Sequence, residues 1–465
     1  MPAWGHPGPM LYGRVRGFYD LGPVWLVMDT VYLLAAVVVL PLLVWQRWVG
    51  GKRRGGWGQR FGRIPARCGA RPCVWVHAVS LGETNATRGI VAALRRGLPG
   101  HDIVISATTD TGYARAREIY PDLQVFRYPL DFSWVVRRVL DAVRPSLIVL
   151  MELEVWPNLI ELATRRGIPV AVANGRVTEA RSMLRFRKPV VRRVARRMFR
   201  RLAWVGAQNR TYAERFAELG VPSERIEVTG MLKWDTAEIA DQLPGAAELA
   251  RCVGIVGAAG GRRLWVCGQT GPGEEAVALE AFRRLRAGMP DLQLAIIPRR
   301  PERFDEVADL LGRSGLSFLR RSRQKDGQPP PASPPDVILG DTMGELRKFY
   351  CLADVVFVGR SLVPLGGSDP IEVAALGRPM IVGPHTWNFA DSIDKFAAAG
   401  AIRILPTSTE DPEAAEKLAA AVREILTEPG ARAIGLAAQR VVRENQGVTE
   451  KTAAALISLV QRAQQ

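Results

Sequence analysis

The chain has 465 residues, of which 48% are hydrophobic and 23% are charged, with 45 glycines and 32 prolines. This composition excludes a low-complexity, collagen-like or disulfide-stapled chain and leaves room for two or three globular domains. The net charge of +17 is unevenly distributed, with +4 in residues 1–56, +14 in residues 57–230 and −1 in residues 231–465. The excess positive charge of the first half predicts that it binds an anionic partner, whereas the nearly neutral second half gives no such indication.

The cysteines indicate a reducing compartment. Their number is odd, and they form no C-x-x-C pair; they are Cys68, Cys73, Cys252, Cys267 and Cys351. Both features argue against a disulfide framework and against a zinc ribbon. Reduced thiols in the cytosol are the simplest interpretation.

The first predicted element is a membrane anchor at residues 24–45, which follows a leader of residues 1–23. Asp29 is its single charged residue, and the stretch is long enough to cross a hydrocarbon core of about 30 Å. A cleaved signal peptide is the competing interpretation, but no small-x-small cleavage site follows the stretch. Basic residues cluster after it, at Arg47 and 52–54, so the positive-inside rule predicts a single-pass helix with the remaining chain in the cytoplasm. Asp29 and Pro41 leave open a helix that is tilted or only partly inserted.

Beyond Gly55 the chain alternates short apolar runs with helical patterns. The runs predicted to be strands are residues 74–79, 102–107, 146–151, 168–173, 202–207, 226–229, 263–268, 292–298, 354–359 and 379–383. Runs that are apolar throughout are typical of parallel sheets covered on both faces. The sequence thus predicts an α/β fold with two Rossmann-like domains at 57–230 and 262–465, joined by a linker at 231–261. The proline-rich residues 328–335 are predicted to be a surface loop.

Glu83 is the first candidate site residue. It follows the predicted strand 74–79 and precedes a predicted helix at 84–94. A carboxylate there stabilises a helix N-terminus by about 0.3–1 kcal/mol. It also lies where an acceptor hydroxyl could be deprotonated, since ligands bind outside the carboxyl ends of parallel strands and Gly82 allows a close approach. Both interpretations stay open, while His77, inside the strand, is predicted to be a core histidine.

A second candidate is the acidic segment 151–158, directly after another predicted strand. Glu152 and Glu154 are two residues apart, and in extended chain such side chains point to opposite faces, so at most one is expected to face a given ligand. A solvated loop is the alternative. The chain contains no D-x-D pair, so the usual chelating signature of metal-dependent sugar transferases is missing and no metal site is predicted.

Two glycine-rich segments of the second half are candidates for binding a nucleotide. Residues 268–274 form a turn that opens a helix and could present N–H groups to a phosphate, with Arg299 as a cationic partner after the next strand. Residues 366–372 combine two glycines with a helix start, where Glu372 could accept hydrogen bonds from ribose hydroxyls. Each pattern alone is equally consistent with a structural turn.

The segment 181–201 contains ten basic residues. Apolar residues are interleaved with them at near-helical spacing, which is typical of a basic amphipathic helix on an anionic membrane surface. Nucleic acid is the rival partner. The predicted anchor and the absence of an aromatic and basic ribonucleoprotein motif favour the membrane, so no nucleic-acid partner is expected.

Taken together, these motifs closely resemble the Kdo transferases, which are membrane-anchored GT-B glycosyltransferases that attach 3-deoxy-D-manno-octulosonic acid (Kdo) to the lipid A precursor. The resemblance covers nearly the whole chain. The segments that carry it are residues 57–62, 77–83, 151–158, 174–176, 230–233, 298–304, 340–346, 383–386 and 445–447.

The resemblance implies that Glu83 is the general base on the lipid A hydroxyl and that Glu152 and Lys233 stabilise the transition state. The positions matching the family's CMP-binding segments are Pro298, Arg299, Met343, Gly344, Glu345, Asp369, Pro370, Ile371 and Glu372. It also implies inversion, CMP-Kdo as a substrate, and no metal or cofactor. The acceptor would be the lipid A precursor lipid IVA at the cytoplasmic face of the anionic inner membrane, in lipopolysaccharide biosynthesis.

The chain departs from the family pattern on the donor side. Ser368 and Asp369 replace the usual His-Asn, Arg300 replaces a histidine, and residues 269–274 replace Ser-Thr-His-Glu-Gly-Glu. An acidic Asp369 near a phosphate is unfavourable unless Arg299 or Arg300 compensates. A modified Kdo or another nucleotide sugar therefore remains as an alternative donor. The alternative without enzymatic activity is a membrane-tethered RNA-binding protein.

Overall fold

The computed structural model describes residues 24–48, 55–257, 261–324, 326–427 and 430–464. The chain forms two compact units, the first comprising Met1–Val228 with Ala455–Gln465 and the second comprising Thr229–Ala454. The predicted leader and the basic residues 52–54 lie outside the described residues.

The first unit is a parallel sheet covered by helices. Its strands are β1 (Cys73–Ala78), β2 (Asp102–Ala107), β3 (Gln124–Arg127), β4 (Leu147–Met151), β5 (Val170–Gly175), β6 (Trp204–Ala207) and β7 (Ile226–Val228). Its helices are α1 (Val24–Trp48), α2 (Trp57–Arg60), α3 (Leu81–Gly97), α4 (Asp110–Ile119), α5 (Ser133–Val143), α6 (Pro157–Arg165), α7 (Leu184–Phe186), α8 (Pro189–Phe199) and α9 (Arg210–Leu219). The strand order is β3-β2-β1-β4-β5-β6-β7.

The strand order of this sheet reverses at β1. Strand β2 pairs with one edge of β1, and β4 pairs with the other, where His77 lies opposite Leu150. The crevice outside the carboxyl ends of β1 and β4 is therefore the topological switch point, at which sheets of this class bind ligands. Glu83 follows β1 and Glu152 follows β4.

The second unit repeats this architecture. Its strands are β8 (Arg263–Thr270), β9 (Leu292–Pro298), β10 (Phe318–Arg320), β11 (Val337–Leu339), β12 (Val355–Val358), β13 (Met380–Val382) and β14 (Arg403–Ile404). Its helices are α10 (Lys233–Thr236), α11 (Ala246–Val253), α12 (Glu274–Arg286), α13 (Phe304–Gly312), α14 (Leu346–Leu352), α15 (Ile371–Ala375), α16 (Ala390–Ala398), α17 (Ala414–Thr427) and α18 (Ala431–Asn445). The last helix, α19 (Val448–Gln464), begins in the second unit. The order β10-β11-β9-β8-β12-β13-β14 places the switch point between β8 and β12.

The prediction of two parallel α/β sheets is confirmed, and every predicted strand is present. The strands that the sequence did not reveal are β3, β10, β11 and β14, which have two to four residues each. Three of them lie at sheet edges. Short edge strands bury little apolar surface, so they leave no apolar run in the sequence.

Residues 231–261, predicted to be a linker, contain α10 and α11. Trp234, Leu249 and Val253 belong to the main hydrophobic core of the second unit. At the other end of the chain, the last residues of α19 group with the first unit. The five cysteines are all free.

The predicted membrane segment lies in α1. In the part of the chain that the structure describes, no helix is both long and apolar enough to cross a membrane. Trp25 packs against the core of the first unit, and Asp29 accepts hydrogen bonds from Ser133. Residues 33–38, in contrast, are all exposed. The first half of α1 therefore docks on the unit along one face.

The basic segment differs from its prediction. Its apolar residues Met183, Phe186, Met198 and Phe199 are buried in the core of the first unit. They are therefore not available to a membrane, because the fold itself uses that face of the segment. What reaches solvent is the cationic face, with Arg192, Arg193, Arg196 and Arg200 exposed.

Candidate functional site

Glu83 is held in a capping box at the start of α3. The hydroxyl of Ser80 accepts a hydrogen bond from the Glu83 N–H at 3.3 Å, and the Glu83 carboxylate accepts from the Val79 N–H at 2.9 Å and from the Ser80 hydroxyl at 3.0 Å. The spacing is that of the S-x-x-E capping box, although the carboxylate here reaches the N–H of Val79, one residue before the N-cap Ser80. Glu83 is thus a helix cap, and the same bonds orient its carboxylate at the switch point.

Glu152 occupies strained backbone at the end of β4. Its φ is 55°, a left-handed conformation that non-glycine residues rarely adopt. Its N–H donates to the carbonyl of Ala173 at 2.9 Å. The left-handed turn ends the extended geometry, so the strict alternation of side chains expected for Glu152 and Glu154 does not apply.

Three carboxylates, those of Glu83, Glu152 and Glu154, influence one another electrostatically. Burial raises the pKa of Glu152 to about 7, with a further rise from the charge of Glu83. Burial and the charge of Glu83 also raise the pKa of Glu154, against a hydrogen bond from Trp156. Burial likewise raises the pKa of Glu83, opposed by its capping hydrogen bonds. Glu152 and Glu154 are therefore both close enough to Glu83 for its charge to raise their pKa values.

Two arginines offset this negative charge. Arg176 lowers the pKa of Glu152, and Arg185 lowers that of Glu154. Arg176 follows the end of β5 and Arg185 lies in α7. The switch point of the first unit therefore combines a cluster of carboxylates, whose pKa values are raised, with cations at its margin.

Backbone strain is concentrated at the ligand-binding ends of the strands. Apart from Arg144, the described non-glycine residues with positive φ are Glu152, Asn174, Gln269 and Arg360. Each lies at, or within two residues of, the carboxyl end of a strand, namely β4, β5, β8 and β12. Strained backbone of this kind clusters at functional sites, which supports both switch points as site candidates.

Lys233, predicted to stabilise the transition state, lies in the second unit beside Asp369. The Lys233 ammonium is 2.8 Å from the Asp369 carboxylate and 4.8 Å from the centre of the Phe389 ring. Asp369 also accepts a hydrogen bond from the Ile371 N–H at 3.0 Å, at the start of α15. The acidic departure at 369 is thus neutralised by Lys233 rather than by Arg299 or Arg300.

Arg299 and Glu372 belong to the same neighbourhood. Burial and the charge of Asp369 raise the pKa of Glu372, whereas Lys233, Arg347 and Arg299 lower it. Arg299 is exposed, and no ion pair joins it to another described residue. The structure therefore brings Lys233, Asp369, Glu372 and Arg299 together, with Arg299 the cation available to an anionic ligand.

One N–H group of the glycine-rich turn after β8, that of Gly271, is bound to a carboxylate of the chain itself. The buried carboxylate of Glu274 accepts hydrogen bonds from the N–H groups of Gly271, Arg360, Ser361 and Leu362, at 2.6–2.8 Å. The Glu274 carboxylate thus occupies the switch point of the second sheet. These four N–H groups are therefore already paired within the chain.

Residues 343–345 differ in their surroundings: one is paired with an arginine, and two lie on the surface. Glu345 accepts two hydrogen bonds from the Arg321 guanidinium, at 2.9 and 3.0 Å. Burial would raise the pKa of this carboxyl, but the Arg321 hydrogen bonds lower it overall. Met343 is 71% exposed. Glu345 therefore stabilises the loop, and Met343 and Gly344 are left on its surface.

The remaining predicted donor residues lie next to Asp369. Pro370 is the N-cap of α15, Ile371 is its first residue, and Pro298 is the buried last residue of β9. Gly366 has a φ of 83°, and a Cβ there would collide with the Asn388 amide at 2.1 Å. Residues 366–372 are therefore packed against residues 383–388, and this packing is a structural role of both segments.

Comparisons with known proteins identify the family of this chain. Residues 55–236 match the family described as 3-Deoxy-D-manno-octulosonic-acid transferase (kdotransferase). The chain is 38% identical to a 3-deoxy-D-manno-octulosonic acid transferase of Bordetella pertussis, over 92% of this chain and 98% of that protein. The chain belongs to the Kdo transferase family. It is therefore a glycosyltransferase.

Two further comparisons extend this result. The Kdo transferase of Haemophilus influenzae is 34% identical over 83% of this chain and 87% of that protein. A crystal structure of UDP-GlcNAc 2-epimerase from Neisseria meningitidis bound to UDP-GlcNAc has a TM-score of 0.53 at 12% identity, covering 84% of this chain and 100% of that one. The second similarity shows a shared fold.

Sequence reasoning missed Glu154 as a member of the acidic cluster and Glu274 as a buried anchor. The Ser80-x-x-Glu83 spacing was a readable signal for the capping box. The position of Glu274 at a helix start was visible too, but its partners at 360–362 are more than 80 residues away, and no local pattern reports such a contact.

Proposed function

We propose that this protein transfers Kdo from CMP-Kdo to the lipid A precursor lipid IVA, with inversion and without a metal ion, in lipopolysaccharide biosynthesis. The observation that carries the proposal is the group of three carboxylates at the switch point of the first unit, with Glu83 oriented by its capping box. The predicted roles of the donor-side residues remain part of the proposal.

In the proposed reaction Glu83 accepts the proton of the acceptor hydroxyl. The hydroxyl oxygen then forms a bond to the anomeric carbon of Kdo while the bond from that carbon to the CMP phosphate oxygen breaks. The raised pKa of Glu83 makes it a stronger base than an ordinary glutamate,. Hydrogen bonds from Val79 and Ser80 orient the Glu83 carboxylate, and a carboxylate has about four acceptor positions, so it can also accept a bond from the substrate hydroxyl.

The leaving CMP phosphate carries negative charge that cations must stabilise. Arg299 supplies an exposed guanidinium, and Lys233 supplies an ammonium that Asp369 holds in place. Glu274 already occupies the amide groups at the second switch point, which favours the Arg299, Lys233 and Glu372 neighbourhood for the phosphate and ribose.

We further propose that the protein is attached to the cytoplasmic side of the inner membrane through α1. A row of aromatic rings continues from Tyr32 through Phe132, Trp134 and Phe61 to Trp57, with centroids 5.9–6.2 Å apart. Exposed aromatic side chains are typical of membrane interfaces. The exposed residues at 33–38 continue this apolar surface.

The docking of α1 favours partial insertion over a single pass. A spanning segment has its ends on opposite sides of a membrane, whereas residues 25–32 and residues 55–228 both belong to the first unit. The exposed arginines of α8 supply additional attraction to anionic lipid.

The deciding experiment incubates the purified full-length protein with lipid IVA and CMP-Kdo in detergent and measures the product by mass spectrometry. We expect a mass increase of whole Kdo units that persists in the presence of EDTA. A panel of other nucleotide sugars tests the alternative raised by Ser368 and Asp369. Transfer from another donor, without transfer from CMP-Kdo, would contradict the proposal.

A further inference from the structure

The first helix reaches the acceptor site through polar contacts on one face. Asp29 accepts hydrogen bonds from the Ser133 N–H at 2.8 Å, the Ser133 hydroxyl at 2.6 Å and the Asn158 side-chain amide at 2.9 Å. The N-cap residue of α5, Phe132, offers no side-chain cap of its own. Asp29 therefore caps α5 from a different helix, which satisfies donors that α5 itself leaves without a partner.

A second buried acid makes the equivalent bonds at α6. The Asp131 carboxylate accepts hydrogen bonds from the Asn158 N–H at 2.9 Å and the Leu159 N–H at 2.8 Å. The Tyr32 hydroxyl of α1 donates to the same carboxylate at 3.0 Å. The N-cap of α6, Trp156, likewise has no side-chain cap. Asp131 thus connects the start of α6 to the first helix.

The start of α6 is the downstream end of the loop that carries Glu152 and Glu154. The upstream end of this loop is fixed by the hydrogen bond from Glu152 to Ala173. Only five residues, 152–156, lie between β4 and α6. A displacement of the α6 N-terminus must therefore be absorbed by a short segment that contains both site carboxylates.

We propose that the first helix is a positioning element for catalysis as well as a membrane attachment. Tyr32 and Asp29, acting through Asp131 and Asn158, hold the α6 N-terminus and thereby the loop of Glu152 and Glu154. The inference rests on the proposed function for its catalytic consequence. Its structural part concerns hydrogen bonds that can be measured without any substrate.

The test compares Tyr32→Phe and Asp29→Asn with the wild-type full-length protein in detergent. Tyr32→Phe removes one hydroxyl and keeps the ring. Hydrogen exchange measured by mass spectrometry on the peptide containing Asn158 and Leu159 should become faster. With detergent-dispersed acceptor, kcat should fall about 10- to 100-fold, the range expected when a reacting group is misplaced by about 1 Å. The KM for CMP-Kdo and the binding to anionic vesicles should stay at wild-type values.

Tyr212→Phe is the matched control. Tyr212 is half-buried against the core of the same unit and stacks with Arg215, and its hydroxyl contacts neither Asp131 nor Asp29. This variant should exchange hydrogen and turn over as the wild type does.

The outcomes separate the two proposals. Unchanged hydrogen exchange in Tyr32→Phe overturns the inference, as does faster exchange with kcat within twofold of wild type. If the wild-type protein transfers no Kdo at all, the proposed function fails, while the exchange data still decide whether α1 holds the loop. A third outcome is that the variant loses activity on vesicles together with vesicle binding but keeps full activity in detergent. That outcome would show that α1 only attaches the protein to the membrane, and it would contradict the inference.

Discussion

Glutamine in place of Glu83 distinguishes a general base from a helix cap. Glutamine is nearly isosteric and also serves at the third position of a capping box, so its amide can accept from the Val79 N–H and donate to the Ser80 hydroxyl. Loss of the charge removes an interaction with the helix dipole of about 0.3–1 kcal/mol. It also removes the cost of burying a charge, which is what raises the pKa of Glu83. Since the two effects oppose each other, we expect the free energy of unfolding to change by less than about 1 kcal/mol.

Catalysis should respond quite differently. A positioned base contributes about 10²- to 10⁴-fold in rate, so Glu83→Gln should lose about that much kcat while its affinity for CMP stays intact. The assays are Kdo transfer followed by mass spectrometry, calorimetry with CMP, and thermal unfolding, where a change below 1 kcal/mol corresponds to about 2–4 °C or less.

A control variant and two results make this prediction decisive. Glu214→Gln removes a carboxylate from α9 that pairs with Arg210 at 3.5 Å, and it should leave all three measurements unchanged. A Glu83→Gln protein with kcat within tenfold of wild type would refute the base. A large fall in Tm with proportional loss of activity would show that the carboxylate matters only as a cap.

Three further predictions concern charge. Asp369→Asn should tighten CMP binding by about fivefold in calorimetry, because it frees Lys233 from a partly exposed ion pair worth at most about 1 kcal/mol. Glu152→Gln should raise Tm relative to wild type at pH 8 but not at pH 4.5. The folded-state pKa of about 7 exceeds the ordinary 4.5, so folding favours the protonated form and the wild type loses stability as pH rises through that interval. Replacing three exposed arginines of α8 with glutamine should weaken binding to anionic vesicles, measured by flotation, about 100-fold, because each arginine contributes about 1 kcal/mol of binding free energy. The three residues are Arg192, Arg193 and Arg196.

Each of these predictions has an outcome that contradicts it. Weaker CMP binding by Asp369→Asn would contradict the prediction, because it would show that holding Lys233 in place matters more than freeing its charge. A difference in Tm that is constant from pH 4.5 to pH 8 would exclude the ionisation of Glu152 as its cause. For the arginines, the control replaces the same number of exposed arginines in the second unit, at Arg313, Arg323 and Arg423; equal loss of flotation in both variants would show a general charge effect. Arg197 is left unchanged because it contacts the buried Glu161.

Much of the fold could be predicted because its signals are local. Buried parallel strands such as β1 and β9 are continuous apolar runs, and a run of that kind is visible in any short window of sequence. The positions of Glu83 and Glu152 followed from the same runs, since ligand sites lie where such strands end. The short strand β14 escaped because its two exposed residues leave no apolar pattern.

What only the tertiary structure decided is the partner of each charged or amphipathic group. The sequence alone identified Lys233 and Asp369 as candidates, but their ion pair joins residues more than 130 positions apart. Asp29 is a second example: in the sequence it is a lone charge in an apolar stretch, and in the structure it caps a helix about 100 residues away. Four apolar residues of the basic segment, which its spacing predicts to face a membrane, are instead buried in the core of the first unit. Periodicity reports that a helix has an apolar face, but it does not report which surface covers that face, because the covering surface is assembled from distant parts of the chain.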